Sequence, residues 1–251
     1  SYLGLVFIAI ALQRPGIALL LLFAHGLARA LQFMSVGSII ATTNCQDLTE
    51  LGGLGTRMPA TATAFLVGSA GLVGLLPLGG FWCYGLMVDN LRQLAPGFAA
   101  VFLITNVLGA ANVTRVYPSV FLRPVMPKTK RAPEVNWLMA LPMVSLTVIV
   151  LLLPAIMQRI DPVPGIASFS LPVAGVVLAS GLVGVLLGAL TPLDEFWSRS
   201  RQPLVRLVQD LLAYDFYTPE IYRRTIVTAV ASLARFTRWF DINVIKGAVD
   251  G

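Results

Sequence analysis

The chain alternates between long apolar runs and short polar segments. Four stretches contain no Asp, Glu, Lys or Arg, namely residues 58–88, 93–114, 135–158 and 162–193. A fifth stretch, 15–46, contains only His25 and Arg29 as basic or acidic groups. Each is long enough for a helix to cross a bilayer, which takes roughly 20 residues. The pattern predicts an all-α fold, a polytopic membrane helix bundle with five to six spanning helices and a short apolar piece at 1–12.

One apolar stretch is interrupted. The sequence LLPLGGFWCYGLMVDN, residues 75–90, contains Pro77 and the pair Gly79-Gly80. Irregular backbone persists inside a bilayer only where protein or a water-filled cavity satisfies its polar groups, and transporters place such breaks beside ion pathways. The sequence therefore predicts a broken transmembrane helix here. A plain turn between two helices at the membrane surface is the alternative.

The C-terminal part has a different pattern. Residues 193–251 are charged and amphipathic, whereas 1–192 form the predicted bundle, so we place a boundary between the two. Thr218-Pro219-Glu220 predicts a helix start with Thr218 as N-cap. An apolar stripe follows at Ile226, Val230, Leu233 and Phe240, beside a basic edge at Arg224, Thr228, Arg235 and Arg238. This pattern favours a helix on the membrane surface or against neighbouring helices. A solvated amphipathic tail is the alternative.

Composition supports the membrane class. Only 12% of the 251 residues are charged, about half of the roughly 25% usual in soluble domains. The segment 115–134 carries five Lys or Arg against one acid, so the positive-inside rule places it on the cytoplasmic side or its equivalent. The sequence pI of about 9.7 fits anionic lipid rather than nucleic acid.

One histidine and two cysteines offer no metal-binding spacing. Both ends of the sequence suggest a piece of a longer polytopic protein.

The candidate chemistry lies within the first long run. His25, Arg29, Gln32 and Ser35 follow each other at spacings of 4, 3 and 3, which places them on one face of a helix. A charged side chain at mid-bilayer costs at least ~2.5–3.5 kcal/mol. No acid lies at that depth in this sequence, so the partner of Arg29 is expected on another segment or subunit. A proton or ion relay is one interpretation, since histidine exchanges protons near neutral pH whereas arginine keeps its proton. The other interpretation is structural: Arg29 snorkels or closes an ion pair between helices, and His25 is a satisfied core residue.

Several longer motifs resemble one family. HGLARALQF, from His25 on, followed by SVGS, resembles the motif H-A-F-F-K-A-L-L-F with its trailing S-x-G-S. The segment DLTELGGLGTRMP, from Asp47, resembles the connector D-I-x-x-M-G-G-L-x-x-x-M-P. SYLG at the start resembles an S-x-x-G helix opening, and YDFYTPEIYRRTIV with DINVIKGAVDG resembles the start of a long lateral helix. The chain thus resembles the C-terminal half of the distal antiporter-like membrane subunit of respiratory and photosynthetic complex I.

The resemblance implies a proton-translocating module whose lateral helix clamps neighbouring subunits. His25 matches the family's relay histidine, Arg29 occupies the position of its relay lysine, and Tyr84 occupies that of the terminal lysine in G-F-x-S-K-D-E. Both departures change the chemistry. Arginine does not release its proton, and a phenol with a pKa of about 10 is neutral at rest. Gln32 and Ser35 would extend the polar axis, with Asn106 and Asn112 as further hydrogen-bonding groups.

The altered residues are similar to those of the variant subunit in cyanobacterial NADH dehydrogenase-like complexes that take up CO2. That resemblance implies an integral subunit of the thylakoid membrane, coupling electron transfer to plastoquinone with proton movement. Its implied partners are a neighbouring antiporter-like subunit, a carbonic-anhydrase-like hydrophilic subunit and membrane lipids. No cofactor is expected in this chain, since quinone and iron–sulfur clusters would bind other subunits. The alternatives are a subunit of a sodium/proton antiporter or membrane-bound hydrogenase, and a structural membrane clamp without transport.

Overall fold

The computed structural model describes residues 2–160, 170–190 and 217–241, together with positions 203, 206, 207, 210 and 211. The chain divides into two compact units, Ser1–Phe196 and Trp197–Gly251. All regular elements in the described ranges are helical, which confirms the predicted all-α class. The predicted boundary between 192 and 193 lies outside the described residues.

The first unit contains seven α-helices within the described residues. They are α1 Tyr2–Ala11, α2 Pro15–Thr43, α3 Pro59–Val73, α4 Gly79–Leu94, α5 Pro96–Tyr117, α6 Trp137–Ile160 and α7 Leu171–Leu190. Proline opens α2, α3 and α5, because its fixed φ suits the first helical turn and its missing N–H would have no partner there. Asn44 ends α2 in the left-handed conformation, and its N–H bonds to the Ile40 carbonyl.

Four of the five predicted stretches form helices long and apolar enough to cross a membrane, namely α2, α5 with its continuation to Leu122, α6 and α7. The remaining stretch, 58–88, does not form one continuous span. It is divided between α3, with 15 residues, and α4, with 16. The expected broken helix is therefore present. Against the predicted five to six spanning helices, the described residues contain four continuous spans and one stretch divided into two shorter helices.

The break between α3 and α4 is formed by glycines. Gly74 ends α3 at a φ of 72°, which favours a residue without a side chain. A Cβ on Gly74 would overlap the Tyr84 ring, and one on Gly80 would overlap the Gly71 carbonyl. These close approaches let α4 enter the middle of the bundle. Ten of its 16 residues are buried, and it contacts α2, α3, α5, α6 and α7.

Polar loops meet at one end of this unit. The N–H groups of Leu54 and Gly55 donate to the carbonyls of Val120 and Phe121 at 3.3 and 3.0 Å. Glu134 caps the start of α3 by accepting hydrogen bonds from the Ala60 N–H at 2.8 Å and the Thr61 hydroxyl at 2.6 Å. The connector 44–58 and the basic segment 115–134 therefore share one end of the bundle.

In the second unit, described residues form α8 Thr218–Tyr222, a π-helical turn Arg223–Val227 and α9 Thr228–Phe240. The helix begins in the predicted segment but at Thr218, so the assignment of Thr218 as N-cap was wrong. Tyr217 takes that position at a φ of 53°, with no side-chain cap. The apolar side chains predicted as one stripe are exposed in this part of the chain, at Ile226, Val230, Leu233 and Phe240.

Candidate functional site

Arg29 lies at the centre of α2. It is residue 15 of a 29-residue helix, so about 21 Å of helix separates it from either end. Its side chain is exposed on the surface of the described bundle. The guanidinium donates to Gln32 Oε1 at 2.9 Å and lies 5.8 Å from the centroid of the Phe33 ring. Among the described residues, no carboxylate lies within 4.0 Å of it.

Gln32 connects Arg29 to the next helix. Its side chain is buried, and Nε2 donates to the Ser69 hydroxyl on α3 at 2.9 Å. The two helices approach closely here because Gly68 lies against the Ala28 carbonyl, where a Cβ would be only 2.9 Å from the oxygen. We call Arg29, Gln32 and Ser69 the arginine arm. It runs from the exposed surface into the contact between α2 and α3.

Ser35 is on the predicted face but uses its hydroxyl locally. The side chain is fully buried, and Oγ donates to the Leu31 carbonyl at 2.8 Å. It also lies 3.8 Å from the Met143 sulfur on α6. Within the described residues no direct hydrogen bond joins Ser35 to the arginine arm, so its place in the polar axis stays a prediction.

His25 packs against an aromatic residue that the sequence had not indicated. Its ring centroid lies 5.0 Å from that of Tyr2 on α1. The His25 Nδ1 atom is buried and has no hydrogen-bond partner among the described residues. This nitrogen is therefore a candidate position for a proton inside the bundle.

Tyr84 closes the break between α3 and α4. It is buried, and its hydroxyl donates to the Leu72 carbonyl at 2.5 Å. Within α3 no N–H group donates to that carbonyl, because the helix ends one residue later. The Tyr84 ring stacks on Tyr2 at a centroid distance of 5.8 Å and meets Phe102 edge-on at 5.2 Å.

A chain of hydrogen bonds extends from Tyr2 to α7. The Tyr2 hydroxyl donates to Asn106 Oδ1 at 3.4 Å, and Asn106 Nδ2 donates to the Ser180 hydroxyl at 2.9 Å. Ser180 in turn donates to the Val177 carbonyl at 2.7 Å. Such bonds join helices in a bilayer, where no water competes for them. We call Tyr2, Tyr84, Asn106 and Ser180 the tyrosine cluster.

Of the residues that the sequence had named, Arg29 and Gln32 belong to the arginine arm and Tyr84 to the tyrosine cluster, whereas His25 and Ser35 belong to neither group. Tyr2, Ser69 and Ser180 were missed. Asn106 is buried in the cluster as a hydrogen-bonding residue, whereas Asn112 is exposed. The sequence signal that could have indicated the missed residues was the rarity of hydroxyl and amide groups in apolar helices. No cluster of three His, Cys, Asp or Glu residues suited to a metal occurs in the part of the chain that is described.

Ionisable groups outside the spans are arranged differently. Glu50 on the connector pairs with Lys128 of the basic segment. The hydrogen bond from Lys128, followed by one from the Cys45 thiol, lowers the pKa of Glu50. The same bond to Glu50 raises the pKa of Lys128. This pair joins the two polar loops in contact with water.

These helices, the break and the polar groups at mid-span agree with what the resemblance implies for an antiporter-like membrane module. Residues 1–109 match the family described as NADH:quinone oxidoreductase/Mrp antiporter, TM. The resemblance to the antiporter-like subunit of complex I is thereby confirmed, and the following similarities extend it beyond residue 109.

The whole chain is 58% identical, over 250 residues, to NAD(P)H-quinone oxidoreductase subunit 5, organellar chromatophore 2, of Paulinella chromatophora, of which it covers 40%. It is 26% identical over 287 aligned residues to the chloroplastic subunit 5 of Nephroselmis olivacea, covering 100% of this chain and 43% of that protein. A 117-residue match, 34% identical, links 47% of the chain to 17% of NADH-quinone oxidoreductase subunit L of Rickettsia typhi. The chain thus spans less than half the length of these relatives. The transmembrane family and the long apolar helices identify it as an integral membrane chain.

Proposed function

We propose that this chain forms part of the proton-translocating membrane module of an NAD(P)H-quinone oxidoreductase-type complex. In that role it couples electron transfer to quinone with proton movement. The names of its relatives, which are quinone oxidoreductase subunits, support this proposal. Iron–sulfur clusters and quinone would bind other subunits, and a neighbouring antiporter-like subunit is the proposed membrane partner.

The observation that carries the proposal is the row of polar groups at the middle of α2. His25 and Arg29 lie one helical turn apart, where an isolated charge is costly. His25 would exchange protons through its buried Nδ1 atom. Arg29 would supply a fixed positive charge that orients water. The neutral Tyr84 hydroxyl would join α4 to the end of α3 through its bond to the Leu72 carbonyl.

A photosynthetic membrane is the proposed location, and a cyanobacterial thylakoid membrane is its most specific form. Support comes from the chromatophore and chloroplast relatives. The replacement of two family lysines by Arg29 and Tyr84 further favours the CO2-uptake variant, with a carbonic-anhydrase-like hydrophilic partner. CO2 uptake in Arg29→Lys and Tyr84→Lys cells tests this point. Uptake should fall in assembled complexes, and unchanged uptake would contradict the specialised role.

The proton proposal is tested with His25→Ala and Arg29→Ala in the full-length subunit, assembled in its complex. We expect proton uptake into membrane vesicles to fall at least about tenfold, equivalent to about 1.4 kcal/mol of barrier. Ser145→Ala on α6 is the control, because that exposed hydroxyl bonds only to the carbonyl of Leu141 on its own helix. Full proton uptake in both assembled variants would refute the proposal.

A structural clamp is the second candidate. It is favoured by the tyrosine cluster, whose hydroxyl and amide groups join α1, α5 and α7 without a group that changes charge near neutral pH. A pure clamp would tolerate His25→Ala and Arg29→Ala but lose stability on Asn106→Leu. Proton uptake in His25→Ala and Arg29→Ala therefore separates the two functions, whereas Asn106→Leu lowers stability under either.

A further inference from the structure

We propose that the exposed face of α2 around Arg29 is a docking surface for a transmembrane helix that carries a carboxylate at the depth of Arg29. We call this surface the Arg29 face, and it comprises Leu22, Gly26, Arg29, Ala30, Phe33 and Gly37. Leu22, Gly26, Arg29, Phe33 and Gly37 follow each other at spacings of three or four residues, which aligns them in one stripe along the helix, and Ala30 lies beside Arg29. The inference concerns a protein contact and does not depend on proton movement.

The position of Arg29 is unfavourable for a lipid headgroup as its partner. About 21 Å of helix lies on either side, and arginine side chains reach the headgroup region only from positions near helix ends. Leaving the guanidinium in hydrocarbon is costly. A carboxylate on an adjoining helix offers the complementary charge at the required depth.

The exposed faces of other spans are suited to lipid. On α5 the exposed residues include Val101, Ile104 and Leu108. The exposed hydroxyls of Thr105 and Ser145 donate to carbonyls four residues earlier on their own helices, which hides their polarity. No charged side chain lies within the middle turns of the described α5, α6 or α7. The Arg29 face differs from these surfaces by one full charge.

The shape of the face also fits a helix. A Cβ added to Gly26 or Gly37 would meet no atom within 4 Å, so the surface is open at both positions. Glycine and alanine allow two helix backbones to approach closely in a bilayer. Gln32 holds the guanidinium from one side, and Phe33 lies beside it. Of five N–H donors, the described residues engage one, so the planar fork is available for a two-pronged bond to a carboxylate.

A second copy of this chain does not fit the same role. Two Arg29 faces packed together would oppose like charges. Among α1 to α7, as described, the acidic residue is Asp89, which lies near the end of α4 and pairs with Arg92 at 2.8 Å. The described helices α1 to α7 therefore do not supply the carboxylate, and the occupant is a further helix.

Site-specific photocrosslinking in the full-length subunit, within its assembled complex, tests the proposal. A benzoyl-phenylalanine at Phe33, which is 69% exposed, probes the Arg29 face with little change in shape. The same probe at Ile104, 60% exposed on α5, gives the background. We expect Phe33 adducts on one transmembrane helix with an Asp or Glu within one turn of the crosslinked residue. Adducts to lipid alone, or to a helix without such an acid, would overturn the proposal.

Charge exchange supplies the second readout. Arg29→Glu should reduce assembled complex at least about tenfold, because it places like charges together at low dielectric. Replacing the identified acid by Arg in the same complex should restore assembly. Failure of that restoration would refute the pairing of Arg29 with the acid. Rapid modification of Ala30→Cys by a membrane-impermeant thiol reagent would show a water-lined face and refute docking. Loss of proton uptake is a separate measurement, so this proposal and the proposed function fail independently.

Discussion

The tyrosine cluster and the arginine arm both place polar groups inside the bundle, but they use their hydrogen bonds differently. In the cluster, Tyr84 donates to Leu72 and Asn106 donates to Ser180, so polar groups on different elements are paired with each other. In the arm, Gln32 and Ser69 are similarly paired, yet the chain ends at the exposed guanidinium of Arg29. One region is closed and neutral, and the other is open and charged.

This difference separates holding helices together from exchanging charge with the surroundings. Neutral groups that satisfy one another add local stability and keep α4 in place. A cation without an acidic partner among the described residues adds a cost that a partner or water must offset. His25 lies between the two regions, since it packs on Tyr2 and is one turn from Arg29.

The largest expected effect comes from adding a charge to the closed region. Tyr84→Lys restores the residue found in the resembling family, but here the ammonium would replace a buried phenol bonded to the Leu72 carbonyl. We expect the free energy of unfolding to fall by about 3 kcal/mol or more. Titration of the purified subunit with a denaturing detergent, followed by circular dichroism, measures this loss.

Tyr84→Phe is the matched control for that substitution. It keeps the ring contacts with Tyr2 and Phe102 and removes one hydrogen bond, which costs about 1 kcal/mol. If Tyr84→Lys were no less stable than Tyr84→Phe, water or an acid would have to reach this position. The cluster would then be an ion site rather than a closed contact.

A smaller effect is expected from uncoupling the helices of the cluster. Asn106→Leu removes the bonds to Tyr2 and Ser180 while keeping a side chain of similar size. Hydrogen bonds between membrane helices contribute about 0.6 kcal/mol on average and up to about 1.7 kcal/mol, so we expect a loss of about 1 kcal/mol. The same detergent titration measures it.

Asn112→Leu gives the comparison on the same helix. Asn112 is exposed, whereas Asn106 is 1% exposed, so the substitution should leave the unfolding free energy nearly unchanged. Equal losses in both variants would contradict a specific role for Asn106 and would indicate a general response of α5 to leucine.

Local pattern was sufficient for Arg29 and Gln32 and insufficient for their partner Ser69 and for the contacts of the tyrosine cluster. Residues 25, 29 and 32 fall on one face by helical spacing alone, and Pro77 with Gly79-Gly80 indicated the break. The bond between Tyr2 and Asn106, by contrast, joins residues 104 positions apart. It depends on how α1 and α5 pack, which spacing within either helix does not determine. The local bond of Ser35 likewise depends on the Leu31 carbonyl and on Met143 nearby.

The ion pair of Glu50 and Lys128 provides an aqueous counterpart to Arg29. Both Glu50 and Lys128 are exposed outside the spans, where water stabilises each charge without the other. Arg29 is also exposed on the described bundle, but at the middle of an apolar helix. If the surrounding solvent rather than exposure determines the energetic cost of a charge, removing the aqueous pair should lower the stability least. Its effect should be smaller than those of Tyr84→Lys and Asn106→Leu.

The pH dependence of this pair follows from the two pKa directions. The Lys128 bond lowers the pKa of Glu50, so its contribution to stability is lost as pH falls through that lowered pKa. The pKa of Lys128 is raised, so its contribution is lost only as pH rises through the raised pKa. Glu50→Gln should therefore slightly lower the melting temperature near neutral pH and have no effect at pH values where Glu50 is protonated. The neutral-pH difference should also shrink at high salt, since screening weakens exposed pairs. A large loss that is insensitive to salt would instead mean that the connector and the basic segment are shielded from water, and the contrast with Arg29 would disappear.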